Sequence, residues 1–289
     1  MLRKVVVPAA GLGTRLFPAT KEQPKEMLPI FSSSVNGGLV VKPLMQMVYE
    51  QLHDAGFREF CFVVGRGKRV IEDHFTCDTS CIRLLEDMGR NGQATELEGF
   101  YEKLNSSTIM WVNQPEPKGF GNAVLMAKSF VQNEQCLVHA GDSFIISEEM
   151  DYLKKLLLAH ERFDADATFI VLEIENPRQY GIMEGDEVEP GVFKVEKVVE
   201  KPEKPETNLA IMAMYVFKPV IFEALEVTKL GREGEIQLTD AIQKLIEWKL
   251  NVYAVKLDEN HEHLDVGDPE RYWAALDLSY QHFCGRLVK

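Results

Sequence analysis

Near the N-terminus, a glycine turn and two cations stand close together. Gly11-Leu12-Gly13-Thr14-Arg15 is followed ten residues later by Lys25, in Pro24-Lys25-Glu26-Met27-Leu28-Pro29. Glycines let backbone approach a ligand closely, and a guanidinium and an ammonium flanking such a turn suit a triphosphate, whose charge must be neutralised as its outer groups leave. The same letters also have an ordinary reading. Gly-x-Gly is a common exit from a strand, and Lys21 and Lys25 can form a solvated face with Glu22 and Glu26. Two standard phosphate loops fail on the letters. A dinucleotide fingerprint needs a third glycine where Leu16 stands, and a P-loop needs Lys-Ser/Thr where Thr14-Arg15 stands. Farther along, carboxylates sit beside glycines in Ala140-Gly141-Asp142-Ser143 and Leu264-Asp265-Val266-Gly267, and Glu200-Lys201 precedes Pro202. Alone, each of these is ordinary turn or strand-end chemistry.

Such residues need a frame that ends several strands at one edge. Residues 4–8 form a short β-branched run that stops at the glycine loop, which reads as a buried strand with the loop at its C-terminal end. Residues 60–64, 109–112 and 136–139 repeat the pattern, with helical stretches at 44–55 and 122–131 between them. Strands alternating with helices predict a parallel sheet covered on both faces, with ligands beyond the carboxyl ends of its strands. Runs at 167–173, 192–199 and 210–217 come closer together with less helix between them, so a mixed sheet is expected. Helices follow at 220–227 and 236–249, then a strand at 252–257 and a terminal helix from Pro269. The spacing predicts one α/β domain over residues 1–289, with a mixed, mostly parallel central sheet flanked by helices. Residues 76–107 read as an insertion between strands, and 268–289 as a C-terminal helical element.

Composition narrows the function. With 45% hydrophobic and 27% charged residues in 289, the chain can bury a sizeable core. A formal net charge of −13 argues against a broad nucleic-acid surface, so a phosphate site must be a local concentration of cations and backbone amides. No apolar run reaches the length of a membrane span, and residues 5–10 pass straight into the glycine loop, unlike a signal peptide. Cys61, Cys77, Cys81, Cys136 and Cys284 are odd in number and scattered, which favours reduced cytoplasmic thiols over a disulfide framework or a zinc cluster.

The string Ala-Ala-Gly-Leu-Gly-Thr-Arg-Leu-Phe-Pro-Ala-Thr-Lys at residues 9–21, with Pro-Lys-Glu-Met-Leu-Pro, resembles the signature of the sugar-1-phosphate nucleotidyltransferases. It is most similar to the bacterial and archaeal UTP:glucose-1-phosphate uridylyltransferases. The resemblance continues in order through Lys42-Pro43-Leu44, Ile71-Glu72-Asp73-His74-Phe75, Gln114 with residues 119–124, Tyr180-Gly181, Glu200-Lys201-Pro202, residues 234–242 and Asp265-Val266-Gly267. It therefore spans nearly the whole chain. It implies a single Rossmann-like nucleotidyltransferase domain that transfers a uridylyl group from UTP to glucose 1-phosphate with Mg²⁺ as cofactor.

By the same resemblance, Arg15 and Lys25 are expected to be catalytic, and Ala10, Gly11, Gly13, Thr14, Gln114 and Gly119 to bind the nucleotide. Gly181, Glu200 and Lys201 are expected to bind the sugar phosphate, and Asp142 and Asp265 the magnesium ion. The implied reaction is an in-line displacement, in which a sugar-phosphate oxygen attacks the α-phosphorus and pyrophosphate leaves. That nucleophile has a second pKa of about 6 and is already mostly dianionic at neutral pH, so no general base is required. The task is to bring two polyanions together with a metal, cations and positioning. His139 accordingly reads as a packed strand residue, and the Gln114 amide offers a donor and an acceptor to the mixed edge of uracil or thymine. A homo-oligomer is implied, with no nucleic-acid or membrane partner.

Three positions depart from the family pattern. Asn122 stands where the bacterial uridylyltransferases often have His, Val41 precedes Lys42-Pro43 where Asp is usual, and His139-Ala140-Gly141 replaces a more apolar approach to Asp142. A thymidylyltransferase using dTTP with the same sugar phosphate is the near alternative, since one methyl group gives only about 10–200-fold discrimination. The long segment between Phe75 and Ile109 favours the uridylyltransferases. A non-catalytic nucleotide-sugar sensor on the same fold would be expected to lose a metal carboxylate or a phosphate-binding cation, and this chain keeps them all.

Overall fold

The computed structural model describes residues 2–147, 149–231 and 234–287. Its strands, in chain order, are β1 (Lys4–Ala9), β2 (Pro29–Ser33), β3 (Leu39–Pro43), β4 (Glu59–Gly65), β5 (Thr108–Gln114), β6 (Cys136–His139), β7 (Ser143–Ile146), β8 (Ala167–Glu173), β9 (Gly181–Glu189), β10 (Val192–Glu200), β11 (Leu209–Phe217), β12 (Val252–Lys256) and β13 (Glu262–Asp265). Among the described residues, nine of these form one sheet in the order β5-β4-β1-β6-β11-β8-β12-β10-β9. β2 pairs with β3, and β7 with β13, as two small separate ribbons.

The sheet is mixed, as its strand spacing implied, with parallel pairing concentrated in one half. β5, β4, β1 and β6 run parallel, as do β8 and β12. At β11 the direction reverses, and β10 is antiparallel to both β12 and β9. The expectation of a mostly parallel sheet therefore holds for β5, β4, β1 and β6, and beyond them β8 with β12 is the one parallel pair among the described residues. The reason is connection length. Parallel neighbours need a crossover, whereas β9 and β10 are joined by a two-residue turn whose Gly191 has a φ of 68°.

Alternation along β1 divides the core. Val5 and Val7 enter the apolar layer on one face and Val6 the layer on the other, all with no exposed surface. A strand covered on both faces reads as the continuous apolar run seen in the sequence. Burying each such valine stabilises the fold by roughly 1.5–3 kcal/mol relative to leaving it exposed. β1 sits near the middle of the parallel half, so the loop at its end is held by a rigid element.

Residues 76–107 form two helices, Thr79–Asp87 and Asn91–Asn105. The second buries Phe100, whose ring lies 6.1 Å from Tyr49 and 5.5 Å from Phe75, so this segment contributes to the core while crossing from β4 to β5. The helix expected at 122–131 is two helices, Phe120–Met126 and Lys128–Val131. The one expected at 236–249 is shorter, Leu238–Glu247, because the backbone of Ile236 bonds to the neighbouring loop, accepting from Gly121 N at 2.9 Å and donating to Lys118 O at 2.8 Å. The terminal helix, Pro269–Leu287, packs on β2, where Tyr280 meets Phe31 edge-on at 5.2 Å.

Candidate active site

The glycine loop leaves β1 in a conformation that its letters require. Gly13 is left-handed, with φ 65° and ψ 27°, and its carbonyl accepts a 2.7 Å hydrogen bond from the Thr20 hydroxyl. A β-carbon at Gly11 would stand 3.5 Å from Cε of Lys25, so the lysine stem lies directly against the loop. The single 3-10 turn Lys25–Met27 aims Lys25 and Glu26 inward. Lys25 forms an ion pair with Asp142. Glu26 is buried and bonded to Lys68 Nζ at 2.7 Å, whereas Lys21 and Glu22 stay in solvent. The solvated-face reading thus holds for the latter two and fails for Lys25 and Glu26.

Electrostatics follow from this packing. Burial by itself would lower the pKa of the Lys25 ammonium, but Asp142, Glu26 and Asp265 around it outweigh burial and raise it above the usual lysine value. Burial likewise pushes the Asp142 carboxyl up, and the adjacent Lys25 charge more than offsets this and holds it ionised. His139 is buried in β6, its Nδ1–H donating to Ala140 O at 2.7 Å, and burial drives its pKa down to about 4. A neutral packed imidazole fits the sequence reading.

The β7–β13 ribbon brings together two carboxylates that are remote in sequence. Asp265 is in register with Ser143, and Val266 N donates to Asp142 O at 3.3 Å, so both aspartates open into the same cleft. Asp265 accepts from Arg271 Nη1 at 2.6 Å, and the Arg271 guanidinium also lies 4.9 Å from the Tyr180 ring centre. Among the described residues, no cluster of three or more His, Cys, Asp or Glu side chains could hold a metal. Two hard carboxylates instead suit a cation that takes its remaining ligands from phosphate and water.

Two cavities meet in this cleft. One, of about 310 Å³, is lined by Ala10, Gly11, Gly13, Gln114 and Gly119. The other, of about 660 Å³, is lined by Arg15, Tyr180, Glu200, Lys201, Asp265 and Arg271. Thr14, Lys25 and Asp142 face both. Of the thirteen residues given a catalytic, binding or metal role from the resemblance, Gly181 alone is off these walls. It pairs with Glu200 across β9 and β10, and a β-carbon there would come within 2.8 Å of Thr239 Oγ1 and 3.2 Å of Glu200 Oε2. Its smallness makes room for the Glu200 carboxylate, which accepts from Thr239 Oγ1 at 2.7 Å. Lys201 adopts a positive φ of 44°, a backbone cost of order 1–3 kcal/mol for a non-glycine residue, and its N–H is held by Tyr180 O at 3.0 Å.

Gln114 is more constrained than its sequence suggested. Its amide nitrogen donates to Gly119 O at 3.1 Å and to Asn122 Oδ1 at 2.8 Å. Both amide hydrogens are therefore engaged, and the acceptor Oε1 is what remains for a ligand, in place of a mixed donor and acceptor.

The sequence reading gave no role to Glu26, Lys68, Thr239, Glu235 or Arg271. Thr239 and Glu235 lie in the 234–242 stretch, which had matched as a motif, and Arg271 lies in the first turns of the terminal helix, six positions after Asp265. Glu26 lies inside the Pro-Lys-Glu-Met-Leu-Pro string, and only Lys68 had no signal, because a lysine in a loop reads as surface.

The nucleotidyl transferase family profile matches residues 4–281. A UTP–glucose-1-phosphate uridylyltransferase of Staphylococcus saprophyticus is 40% identical over 92% of this chain and 88% of its own length. One of Bacillus subtilis is 40% identical over 92% and 87%. A crystal structure of a UDP-glucose pyrophosphorylase complexed with UDP-glucose superimposes with a TM-score of 0.83 at 31% identity, covering 98% of this chain and all of that one. With the motifs, the cleft and near full-length similarity in agreement, the chain belongs to the nucleotidyl transferase family, among the UTP–glucose-1-phosphate uridylyltransferases.

Proposed function

We infer that the protein transfers a uridylyl group from UTP to glucose 1-phosphate, releasing pyrophosphate and forming UDP-glucose. The observation that carries this reading is the meeting of two cavities at Lys25 and Asp142, one walled by the glycine loop and the other by Glu200 and Lys201. The base occupies the smaller cavity with its N3–H toward Gln114 Oε1. The triphosphate follows the glycine loop, with Arg15 and Lys25 supplying positive charge where pyrophosphate leaves. In the larger cavity Glu200, oriented by Thr239, accepts from sugar hydroxyls, and Lys201 grips the phosphate as a compact point charge.

Asp142 and Asp265 would hold a divalent cation, which we propose to be Mg²⁺ and which, when bound, offsets the charge of the two phosphate groups. Lys25 holds the Asp142 carboxylate ionised, and Arg271 donates to Asp265 at the cleft wall. The chemistry is then one of alignment, since the sugar phosphate needs no base.

The test is pyrophosphate release by purified protein with glucose 1-phosphate, Mg²⁺ and UTP, dTTP, ATP, CTP or GTP in separate reactions. Preference for UTP supports the reading. Preference for another nucleotide, or no release with any, overturns it.

Residues 1–289 are proposed to act as one catalytic unit. No helix among the described residues is long and apolar enough to cross a membrane, and the described cysteines are free, which supports a cytoplasmic setting. We also propose self-association through the terminal helix, whose Trp273 is 70% exposed and Tyr280 45% exposed.

A further inference from the structure

Asn122 has, in this fold, a partner that matters for specificity. It lies 9% exposed in the first turn of the helix Phe120–Met126. Its Oδ1 accepts from Gln114 Nε2 at 2.8 Å, while the second hydrogen of that amide goes to Gly119 O at 3.1 Å. A backbone carbonyl can only accept, so Gly119 fixes which end of the Gln114 amide is nitrogen. Asn122 must then present its oxygen, since two facing NH₂ groups would leave donors unpaired.

The platform under this arrangement is rigid. Gly119 has a φ of 93°, and a β-carbon there would lie 2.6 Å from Cβ of Glu235. The flanking backbone is tied to Ile236 through Gly121 N and Lys118 O. Gln114 itself is 5% exposed at the end of β5, and among the described residues no group donates to its Oε1. The pocket therefore meets the base with a fixed acceptor.

We propose that Asn122 is a positioning residue that locks the Gln114 amide with its oxygen toward the base, and so makes the pocket select a pyrimidine carrying N3–H over cytosine. The proposal rests on the uridylyl-transfer reading. Uracil donates from N3, where cytosine has a lone pair that would face Gln114 Oε1 without a hydrogen. Cytosine would be accommodated if the amide turned over to offer its NH₂. The Gly119 carbonyl opposes that turn outright, because it would face Oε1 with no hydrogen between them, and Asn122 Oδ1 would lose its donor unless its own amide turned over too. Discrimination comes from a polar group left unpaired with the wrong base, the strongest form of selection a small pocket can make.

The experiment compares wild type, Asn122→Leu and Asn122→Asp by calorimetric binding of UTP and CTP, together with steady-state kinetics with glucose 1-phosphate. Leucine keeps the branching at the γ-carbon and removes the acceptor, whereas aspartate keeps an acceptor. The expected result is a UTP-over-CTP preference that falls about tenfold or more in Asn122→Leu, through a raised KM for UTP rather than a lowered kcat, and is retained in Asn122→Asp. The preference should fall with no comparable loss of Tm, which separates positioning from a merely structural role. An unchanged preference in Asn122→Leu, or an equal loss in Asn122→Asp, would overturn the proposal. So would a wild type that binds CTP as well as UTP. Binding that prefers UTP but supports no turnover would count against the functional reading and leave the role of Asn122 standing.

Discussion

At the scale of single residues, the cleft is a set of charges whose values depend on their neighbours. Asp142 is the clearest case, since the same carboxylate in an open turn would be unremarkable and here it faces Lys25 at the junction of two cavities. We predict that Asp142→Asn lowers kcat by about 10²–10³-fold at saturating divalent cation, with thermal unfolding close to wild type. Near-normal pyrophosphate release would remove Asp142 from the chemistry. Lys201, held in a left-handed conformation beside Glu200, is expected to act on the second substrate. In Lys201→Ala the KM for glucose 1-phosphate should rise roughly ten- to a hundredfold with the KM for UTP little changed, and the reverse pattern would put the lysine on the nucleotide.

At the scale of elements, a few short pieces do most of the positioning. The turn Lys25–Met27 serves two ion pairs at once, because Lys25 points to the cleft and Glu26 to Lys68 behind it. The second pair is almost fully buried, and burial raises the pKa of Glu26 while the Lys68 charge pulls it back. Removing one partner leaves an uncompensated charge in a dry site. Lys68→Met is therefore expected to destabilise the protein by about 3–5 kcal/mol, measured as a shift in denaturant midpoint. The double variant Glu26→Gln with Lys68→Met should recover part of that loss. If Lys68→Met is neutral, the pair is not holding the turn. The β7–β13 ribbon has the comparable task of bringing Asp265 beside Asp142, and it is too short to have been read from its letters.

At the scale of the whole molecule, the two apolar layers bury histidines as well as aliphatic side chains. Burial pushes the His160 imidazole from 6.5 down to about 4, with the nearby Lys218 charge adding to the effect, and its Nδ1 is paired with Thr168 Oγ1 at 2.9 Å. The unfolded chain takes up a proton near 6.5 while the folded one resists until about 4. More protons are bound to the unfolded state throughout that window, so stability rises with pH across it and is lost as pH falls. His139 acts in the same direction, also lowered to about 4 by burial. We predict a Tm that drops between about pH 7 and about pH 5, with a shallower slope in His160→Gln. An identical slope in that variant would assign the acid sensitivity to other groups.

The sequence by itself determined the parts that local pattern controls. β-branched runs specified the strands, the missing third glycine excluded a dinucleotide loop, and Gly11, Gly13 and Lys25 marked a glycine turn with a cation near it at the end of β1. Pairing direction was legible in outline, since strands with no room for a crossover must run antiparallel. The tertiary structure alone decided what each polar side chain faces. It turned Glu26 inward onto Lys68, set Gly181 behind Glu200, joined Asp265 to Arg271, and left Gln114 with an acceptor by engaging both its hydrogens. The physical reason is that propensity and periodicity act between near neighbours in the chain. The charge state and free hydrogen-bonding capacity of a buried group are set by groups far away in sequence that packing brings within about 3 Å.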